Sequence, residues 1–355
     1  MKVIISAGGT GGHIYPALAI INKIKKEDKS ADFLYIGTTS RMEKDLIPKY
    51  GIKYKGIETY GISRKFSLSN FKSIVKFLKA ISTCKKIIKS YKPDIVIGCG
   101  GYVTAPVIYA AKKCKVKTLV HEQNSILGLS NKMMLKYTDT LCTSFKEMKS
   151  DKTNVVYTGN PQGDSVYTLK GIPKKDFGLS SDKKLVLIVM GSLGSKTVND
   201  VLKDSLTKFD SSYEVLIVTG KDYYEQFKKL KRNDNVFIEP YIDGLNRLFS
   251  NVDVLVTRAG ATTISELIGT CTPAIFVPSP YVTENHQYKN AMSLVNNGAA
   301  KILEEKDLSS ETLIKNINEL INNDKEIKEI KSNLKKMQIK DASDKIYNEI
   351  KKLVG

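Results

Sequence analysis

The chain makes the same construction twice, and that repetition limits what it can fold into. Residues 3–6 form a short apolar run that breaks into AGGTGGHIYP, starting at Ala7. Residues 185–190 break in the same way into GSLGSKT, starting at Gly191. Each reads as a buried strand, a glycine-rich turn and the start of a helix. Such a turn aims backbone N–H groups and the positive end of a helix dipole at one point, which suits a phosphate. Two of them predict two nucleotide-binding-type domains facing a shared cleft, and an activated, phosphate-bearing substrate.

The familiar owners of such turns fit poorly. A dinucleotide fingerprint needs GxGxxG and an acidic residue about 20 positions on. With Gly9 and Gly11 as the first pair, Ile14 stands where the last glycine belongs, and the second strand ends in Gly37-Thr38-Thr39 with no carboxylate. The second loop approaches a P-loop through Lys196-Thr197, yet Met190 and Ser195 occupy the glycine positions. Neither a nicotinamide dehydrogenase nor a P-loop ATPase is supported.

At 355 residues, 41% hydrophobic and 26% charged, the chain has the composition of a globular protein large enough for two domains. No amino-terminal targeting segment is expected, because the first apolar stretch leads straight into the glycine loop. No run approaches the ~20 apolar residues of a membrane span. Five scattered cysteines without CxxC spacing read as reduced thiols. The charge is lopsided: residues 1–162 carry 28 Lys and Arg against 11 Asp and Glu, whereas residues 163–355 carry 28 against 26. That asymmetry asks for an anionic partner of the first half.

Strand-like runs recur at 3–6, 33–36, 95–98, 118–121, 140–143 and 155–158. A second series lies at 185–190, 215–219, 236–239, 254–257, 274–277 and 300–303, with helical stretches between. The alternation predicts an α/β protein with parallel sheets covered on both faces. The expected domains are 1–162 and 163–340, with a last helix at 341–355 packing back on the first. In such sheets ligands bind outside the carboxyl ends of the strands. Directly after strands come AGGTGGH, GCGGYVTAP (from Gly98), HEQN (from His121), GNP (from Gly159), GSLGS, YIDGL (from Tyr241), RAGATTISE (from Arg258) and VTENHQYKNA (from Val282). Turn chemistry explains the Gly, Asn and Pro; it does not explain why His, Glu, Gln and Arg gather on one side.

All three histidines, His13, His121 and His286, fall in these clusters. They have neither HxxxH nor HxH spacing and no carboxylate-rich loop, so neither a zinc nor a magnesium site is expected. In RAGATTISE a helix starting near Ala261 offers its N–H groups and Thr262 and Thr263 to phosphate oxygens. Glu266 can accept two hydrogen bonds from a ribose diol. Thr262 as a helix cap and Glu266 as a dipole partner are the structural alternatives. Asn285, His286, Gln287 and Asn290 supply polar groups suited to sugar hydroxyls.

Taken in order, AGGTGGHIYP, GCGGYVTAP, HEQN, GNP, RAGATTISE and VTENHQYKNA resemble the MurG family, from the first residues to about Ala300. The resemblance implies a GT-B fold of two Rossmann-like doubly wound domains. It also implies an inverting, metal-independent transfer of N-acetylglucosamine from UDP-N-acetylglucosamine to the C4 hydroxyl of undecaprenyl-diphosphate-linked N-acetylmuramoyl-pentapeptide. The expected location is the cytoplasmic face of the cell membrane, peripherally bound, with no cofactor, no nucleic acid and cell-wall synthesis proteins as further candidate partners. Carried over by position, the donor contacts are Thr10, Gly11, Gly12 and Asn124, then Ser192 on the diphosphate and backbone Ile242 on uracil. Ala261, Thr262, Thr263, Ile264, Ser265 and Glu266 take phosphate and ribose, and Gln287 takes sugar hydroxyls. The family commonly has an arginine two residues after GNP where this chain has Gly163, so Lys196 or Arg258 would supply that charge. Leu193 and Ser195 also depart from the family's second loop.

For the base that takes the acceptor proton, the resemblance and the residues offer His13, with Glu122 as its rival; binding of the acceptor diphosphate is another role open to His13. Tyr102 belongs to the acceptor side. From Thr59 to Pro93 the chain has nine basic residues and no acidic one. There Phe71, Ile74, Val75, Leu78 and Ile81 follow helical spacing as a core stripe. Lys72, Lys76 and Lys79 line another face, and Phe66 and Phe77 lie off the stripe. A solvated lysine face would show the same lysines; the missing acidic residues favour an anionic membrane surface. Two other readings share features: a GT-B enzyme glycosylating diacylglycerol, and a UDP-sugar epimerase.

Overall fold

The structure, a computed structural model, describes residues 1–59, 68–191 and 194–355, with side chains throughout these except 68–74. Phe66 and Ser192 therefore lie outside the described residues, as do the side chains of Phe71, Lys72 and Ile74. The chain divides into two compact units, Met1–Gln162 with Asp341–Gly355, and Gly163–Lys340.

The first unit is built on strands β1 (Lys2–Ser6), β2 (Asp32–Thr38), β3 (Lys53–Ile57), β4 (Ile95–Gly98), β5 (Lys117–Glu122), β6 (Thr140–Thr143) and β7 (Asn154–Tyr157). All pair in parallel, in the order β3-β2-β1-β4-β5-β6-β7. Helices α1 (Gly11–Glu27), α2 (Glu43–Leu46), α3 (Leu68–Tyr91), α4 (Thr104–Lys113) and α5 (Leu129–Met134) follow their strands. Alternation along each strand divides the core in two. Val3, Ile5, Tyr35, Ile95 and Ile97 join α1 residues Ile14, Ala17 and Ile21 on one face. Ile4, Ile36, Val96 and Val120 join Ala80, Cys84 and Ile88 of α3 and Val107 and Ile108 of α4 on the other. Both faces are covered, so the strands read as continuous apolar runs rather than alternating ones.

The second unit repeats the plan with β8 (Lys184–Val189), β9 (Tyr213–Val218), β10 (Val236–Glu239), β11 (Val254–Thr257), β12 (Ala274–Phe276) and β13 (Lys301–Ile302). They pair in parallel in the order β10-β9-β8-β11-β12-β13. Its helices are α6 (Lys196–Ser205), α7 (Lys221–Lys228), α8 (Ala261–Thr270), α9 (His286–Val295), α10 (Ser310–Ile321) and α11 (Asp324–Met337). A last helix, α12 (Ala342–Val354), returns to the first unit, where Ile346 and Ile350 enter the core beside α1. In both sheets the order reverses beside the first strand, between β1 and β4 and between β8 and β11. These are the switch points where doubly wound sheets take ligands.

The structure corrects the expected core stripe of α3. Val75 is 37% and Leu78 59% exposed, whereas Ala80, Ile81, Cys84 and Ile88 are buried and Phe77 packs partly against the same core. The inward face carries small residues, Ala80 and Cys84, which let the helix lie close to its neighbours. An apolar-only reading of the spacing overlooks them. Phe77 is thus half-buried against this core rather than lying clear of it.

Candidate active site

At the β1/β4 switch point two glycine loops interlock. After Ser6 the chain runs through Gly8 and Gly9 (φ 91°) to Thr10, the N-cap of α1, whose side chain makes no capping bond. Gly8 N–H donates to the Gly100 carbonyl at 3.2 Å, and Cys99 N–H to the Ser6 carbonyl at 2.8 Å. Gly100 (φ 103°) and Gly101 (φ 85°) have to be glycine twice over. A Cβ on Gly101 would lie 2.4 Å from the Gly8 carbonyl oxygen, and one on Gly100 2.7 Å from His13 Cδ2. The half-buried His13 ring is thereby pressed into a fixed place. Its Nδ1 lies 3.1 Å from the Gly8 carbonyl oxygen and 3.5 Å from Thr10 Oγ1. A carbonyl only accepts, so Nδ1 carries the proton and the neutral ring keeps its lone pair on Nε2, the tautomer of a base. Tyr102 follows this loop, half-buried.

Glu122 is corrected by the structure. It is 1% exposed and both oxygens are taken. Oε1 accepts from Asn124 N–H at 3.1 Å and the Asn124 amide at 3.2 Å; Oε2 accepts from Gly128 N–H at 2.9 Å and Asn131 Nδ2 at 2.8 Å. A carboxylate with four donors and no access to solvent braces the loop after β5 and is not placed to take a proton from an acceptor. It does orient Asn124. His121 is likewise internal. Burial pulls its pKa down to about 4, against the opposing pull of the Gly159 carbonyl. Its Nε2 donates to that carbonyl at 3.0 Å while Nδ1 accepts from the Gln123 amide at 3.0 Å. The ring ties HEQN to GNP.

In the second unit, the loops after β8 and β11 meet. Gly191 and Gly194 have φ of 77° and 73°, and Ser195 is the N-cap of α6, with extended backbone and no side-chain bond to the helix start. Arg258 Nη2 donates to Ser195 Oγ at 2.7 Å and sits 2.6 Å from Glu305 Oε2, while Nη1 donates to the Val277 carbonyl at 2.8 Å. Arg258 therefore braces the glycine loop with its charge already matched by Glu305. It does not replace the missing arginine. Lys196, in the first turn of α6, is 81% exposed in its side chain and pairs only loosely with Asp200 at 3.3 Å.

Gly260 caps α8 without a side chain, and the first turn has no acidic residue, leaving helix-start N–H groups suited to an anion. Ala261, Thr262, Thr263 and Ser265 are half-buried there, whereas Ile264 turns into the core. Gly163 packs on the same turn; a Cβ on it would lie 3.2 Å from Ser265 Cβ. Glu266 accepts from Asn246 Nδ2 at 2.8 Å, and burial pushes its carboxyl up to about 7 against that hydrogen bond. Ile242 is buried in the loop after β10. Gln287 accepts from Ser279 N–H at 2.9 Å. Asn290 is fully buried and donates to the Ala259 carbonyl at 3.2 Å, so it holds the α8 entry rather than reading a sugar. His286 Nδ1 pairs with the Thr283 carbonyl at 2.9 Å.

Sequence reasoning missed three groups: Glu43, Asn246 and Glu305. Each is a polar residue at the start of a short helical turn, where a solvated residue looks the same; only the fold shows that they point inward. Among the described residues no group of three or more His, Cys, Asp or Glu gathers as a metal set, and all five cysteines are free thiols.

Residues 3–143 match the glycosyltransferase family 28 N-terminal domain, and residues 185–346 match the glycosyltransferase family 28 C-terminal domain. The UDP-N-acetylglucosamine–N-acetylmuramyl-(pentapeptide) pyrophosphoryl-undecaprenol N-acetylglucosamine transferase of Bacillus cytotoxicus is 43% identical over 362 residues, covering 100% of both chains. The crystal structure of MurG from Acinetobacter baumannii has a TM-score of 0.82 at 27% identity and covers 99% of each chain. The UDP-GlcNAc 2-epimerase of Neisseria meningitidis, solved with UDP-GlcNAc bound, has a TM-score of 0.66 at 16% identity, covering 99% of this chain and 100% of its own. That last likeness is one of fold alone.

Proposed function

The chain belongs to the MurG family within glycosyltransferase family 28, and we propose that it works as that family's enzyme. It transfers N-acetylglucosamine from UDP-N-acetylglucosamine to the C4 hydroxyl of N-acetylmuramoyl-pentapeptide carried on undecaprenyl diphosphate. The observation that carries the reading is the full-length match at 43% identity to a transferase of that name. The motifs behind it stand at the carboxyl ends of the strands.

In the proposed reaction the acceptor oxygen attacks the anomeric carbon, the bond from that carbon to UDP breaks with its electron pair leaving on the diphosphate, and the centre inverts. The acceptor proton passes to His13 Nε2, whose tautomer is set by the Gly8 carbonyl. Charge developing on the diphosphate is met by the uncapped starts of α6 and α8 and by Lys196. Glu266 takes the ribose, Ile242 the base, and Gln287 sugar hydroxyls. Thr10, Gly11 and Gly12 contribute the start of α1, and Asn124, aimed by Glu122, takes the amino sugar.

The membrane contact is proposed for the exposed side of α3. Leu78 and Val75 offer apolar surface there, flanked by Lys79 and Lys86; Lys76 lies 3.9 Å from Glu58. Among the described residues no helix is long and apolar enough to cross a membrane, and surface attachment fits that.

UDP release from UDP-N-acetylglucosamine, measured with and without a lipid-linked N-acetylmuramoyl-pentapeptide analogue, tests the reading. Release should require the analogue. Donor turnover without any acceptor would favour an epimerase, and release driven instead by diacylglycerol would favour the lipid-glycosylating alternative.

A further inference from the structure

Glu43, the first residue of α2, is fully buried. Its Oε1 accepts from the Thr38 N–H at 3.0 Å and the Thr38 hydroxyl at 2.6 Å, and its Oε2 accepts from the Gly9 N–H at 3.2 Å. Thr38 Oγ1 itself accepts from Arg41 N–H at 3.1 Å, which directs the hydroxyl proton to Glu43. Every partner donates, the set that an ionised carboxylate takes. Among the described residues no lysine, arginine or histidine forms an ion pair with it. Room for it is made in the backbone: a Cβ on Gly8 would lie 2.6 Å from Oε1, and one on Gly37 2.8 Å from Cγ.

The Gly9 N–H and the Gly8 carbonyl belong to one peptide unit. Its N–H end meets Glu43 at 3.2 Å, and its carbonyl end accepts from His13 Nδ1 at 3.1 Å. Hydrogen bonds in series polarise one another. Negative charge at the N–H end draws electron density onto the carbonyl oxygen, and a more negative oxygen stabilises positive charge on the imidazole. We propose that Glu43 is a positioning residue that acts on His13 through the Gly8–Gly9 peptide, fixing the Nδ1–H tautomer and raising the proton affinity of Nε2. The arrangement does what a carboxylate in direct contact with a histidine does, with one amide inserted. During transfer the Nδ1 proton stays in place, the acceptor proton arrives at Nε2, and Glu43 changes neither its bonds nor its protons.

The tyrosines and the thiol around Glu43 stay out of the working pH range. Tyr35 and Tyr54 face it, their hydroxyls donating to the carbonyls of Ala7 and Thr38, and burial pushes both well above the ordinary tyrosine range. Burial does the same to the Cys99 thiol next to Tyr35. Arg41, Lys44 and Asp45 on the same turn are exposed.

The inference rests on His13 being the base, and its test keeps the two apart. The chain has three histidines, so ring nitrogen and carbon NMR of labelled protein shows three sets of resonances, with His13→Gln assigning one. In the wild type, neutral His13 should be the Nδ1–H tautomer. In Glu43→Gln its midpoint should fall by about 0.5–1 pH unit while that of His286 stays in place, and the acid limb of kcat should move to lower pH with it. An Nε2–H tautomer in the wild type overturns the proposal, even if the variant does not fold. So does an unmoved His13 midpoint in a folded Glu43→Gln. Wild-type kcat in His13→Gln would instead sink the base assignment, whatever the ring resonances show.

Discussion

Two glutamates at strand ends, Glu122 closing β5 and Glu266 in the helix after β11, have opposite fates, and the difference is in their donors. Glu122 is saturated by four and Glu266 has Asn246. With its carboxyl pushed up to about 7 by burial, Glu266 is partly protonated at neutral pH in the empty site. A ribose diol donates to both oxygens only when the group is ionised, so binding favours loss of the proton. The sign follows: affinity for uridine should rise with pH through 7, steepest below it at roughly tenfold per unit, and level off above about 8. Uridine is the probe because the terminal phosphate of UDP titrates near pH ~6. Calorimetry on Glu266→Gln should give weaker and pH-independent binding; a wild-type curve that is flat from pH 5.5 to 8.5 would remove Glu266 from the ribose. The histidines show where reading residues from sequence stops. Their place at strand ends is legible, since a helix or strand start is marked by Gly, Ser and Thr. Which ring turns inward depends on packing: His121 is sealed against Gly159 and His13 is pinned by Gly100. Glu43 carries no mark at all in the sequence, because the donors it satisfies, the N–H and hydroxyl of Thr38 and the N–H of Gly9, lie 5 and 34 residues away.

Among the elements, those buried on both sides were legible and the marginal ones were not. Runs such as IVIG and VLVT give β4 and β11 at the expected residues, fully buried, because a strand covered on both faces has to be apolar throughout. β3 has no such mark: KYKGI lies at the sheet edge beside β2, where exposed Lys53 and Lys55 alternate with half-buried Tyr54 and Gly56 and protect an open edge. The face of α3 was misjudged for the opposite reason, since Ala80 and Cys84 are core residues that look neutral in a pattern of large apolar side chains. α12 has a bolder pattern, with Ala342, Ile346 and Ile350 on one side and its lysines exposed or half-exposed on the other. Those isoleucines complete the core on the α1 face. Ile346→Ala and Ile350→Ala should each lower stability by about 2–5 kcal/mol, read as a fall in the urea midpoint, with uridine affinity at native conditions unchanged. A loss below about 0.5 kcal/mol would make α12 a loosely attached tail rather than part of the first unit.

Across the molecule, one strand order serves two electrostatic characters. Both sheets run outward from the first strand in the same sense, and that shared plan was legible from the doubled strand–glycine loop–helix start. The order itself was not, because pairing partners lie far apart in sequence and each strand is apolar enough to pair with any other. The charge is a property of the surface rather than of the plan: 28 basic residues against 11 acidic ones lie in residues 1–162, and the remainder is nearly balanced. A basic surface alone would bind any polyanion. A membrane adds a requirement for apolar contact, which α3 meets with Leu78 at 59% and Val75 at 37% exposure beside Lys79 and Lys86. The two kinds of contact respond differently to salt. Two lysines near an anionic leaflet contribute about 2 kcal/mol together, which is roughly thirtyfold in partitioning, and screening within about 10 Å at 0.1 M salt removes most of it. A buried leucine side chain contributes about 1.5–3 kcal/mol and is insensitive to salt on this scale. Binding of the double variant Lys79→Gln/Lys86→Gln to anionic vesicles should therefore fall at low salt and converge with wild type at high salt. Leu78→Ser should bind more weakly at every salt concentration, and both variants should bind uridine normally. Vesicle sedimentation across a salt series separates the two; wild-type affinity for both at low salt would return this face to ordinary solvated lysines and place the membrane contact elsewhere on the first unit.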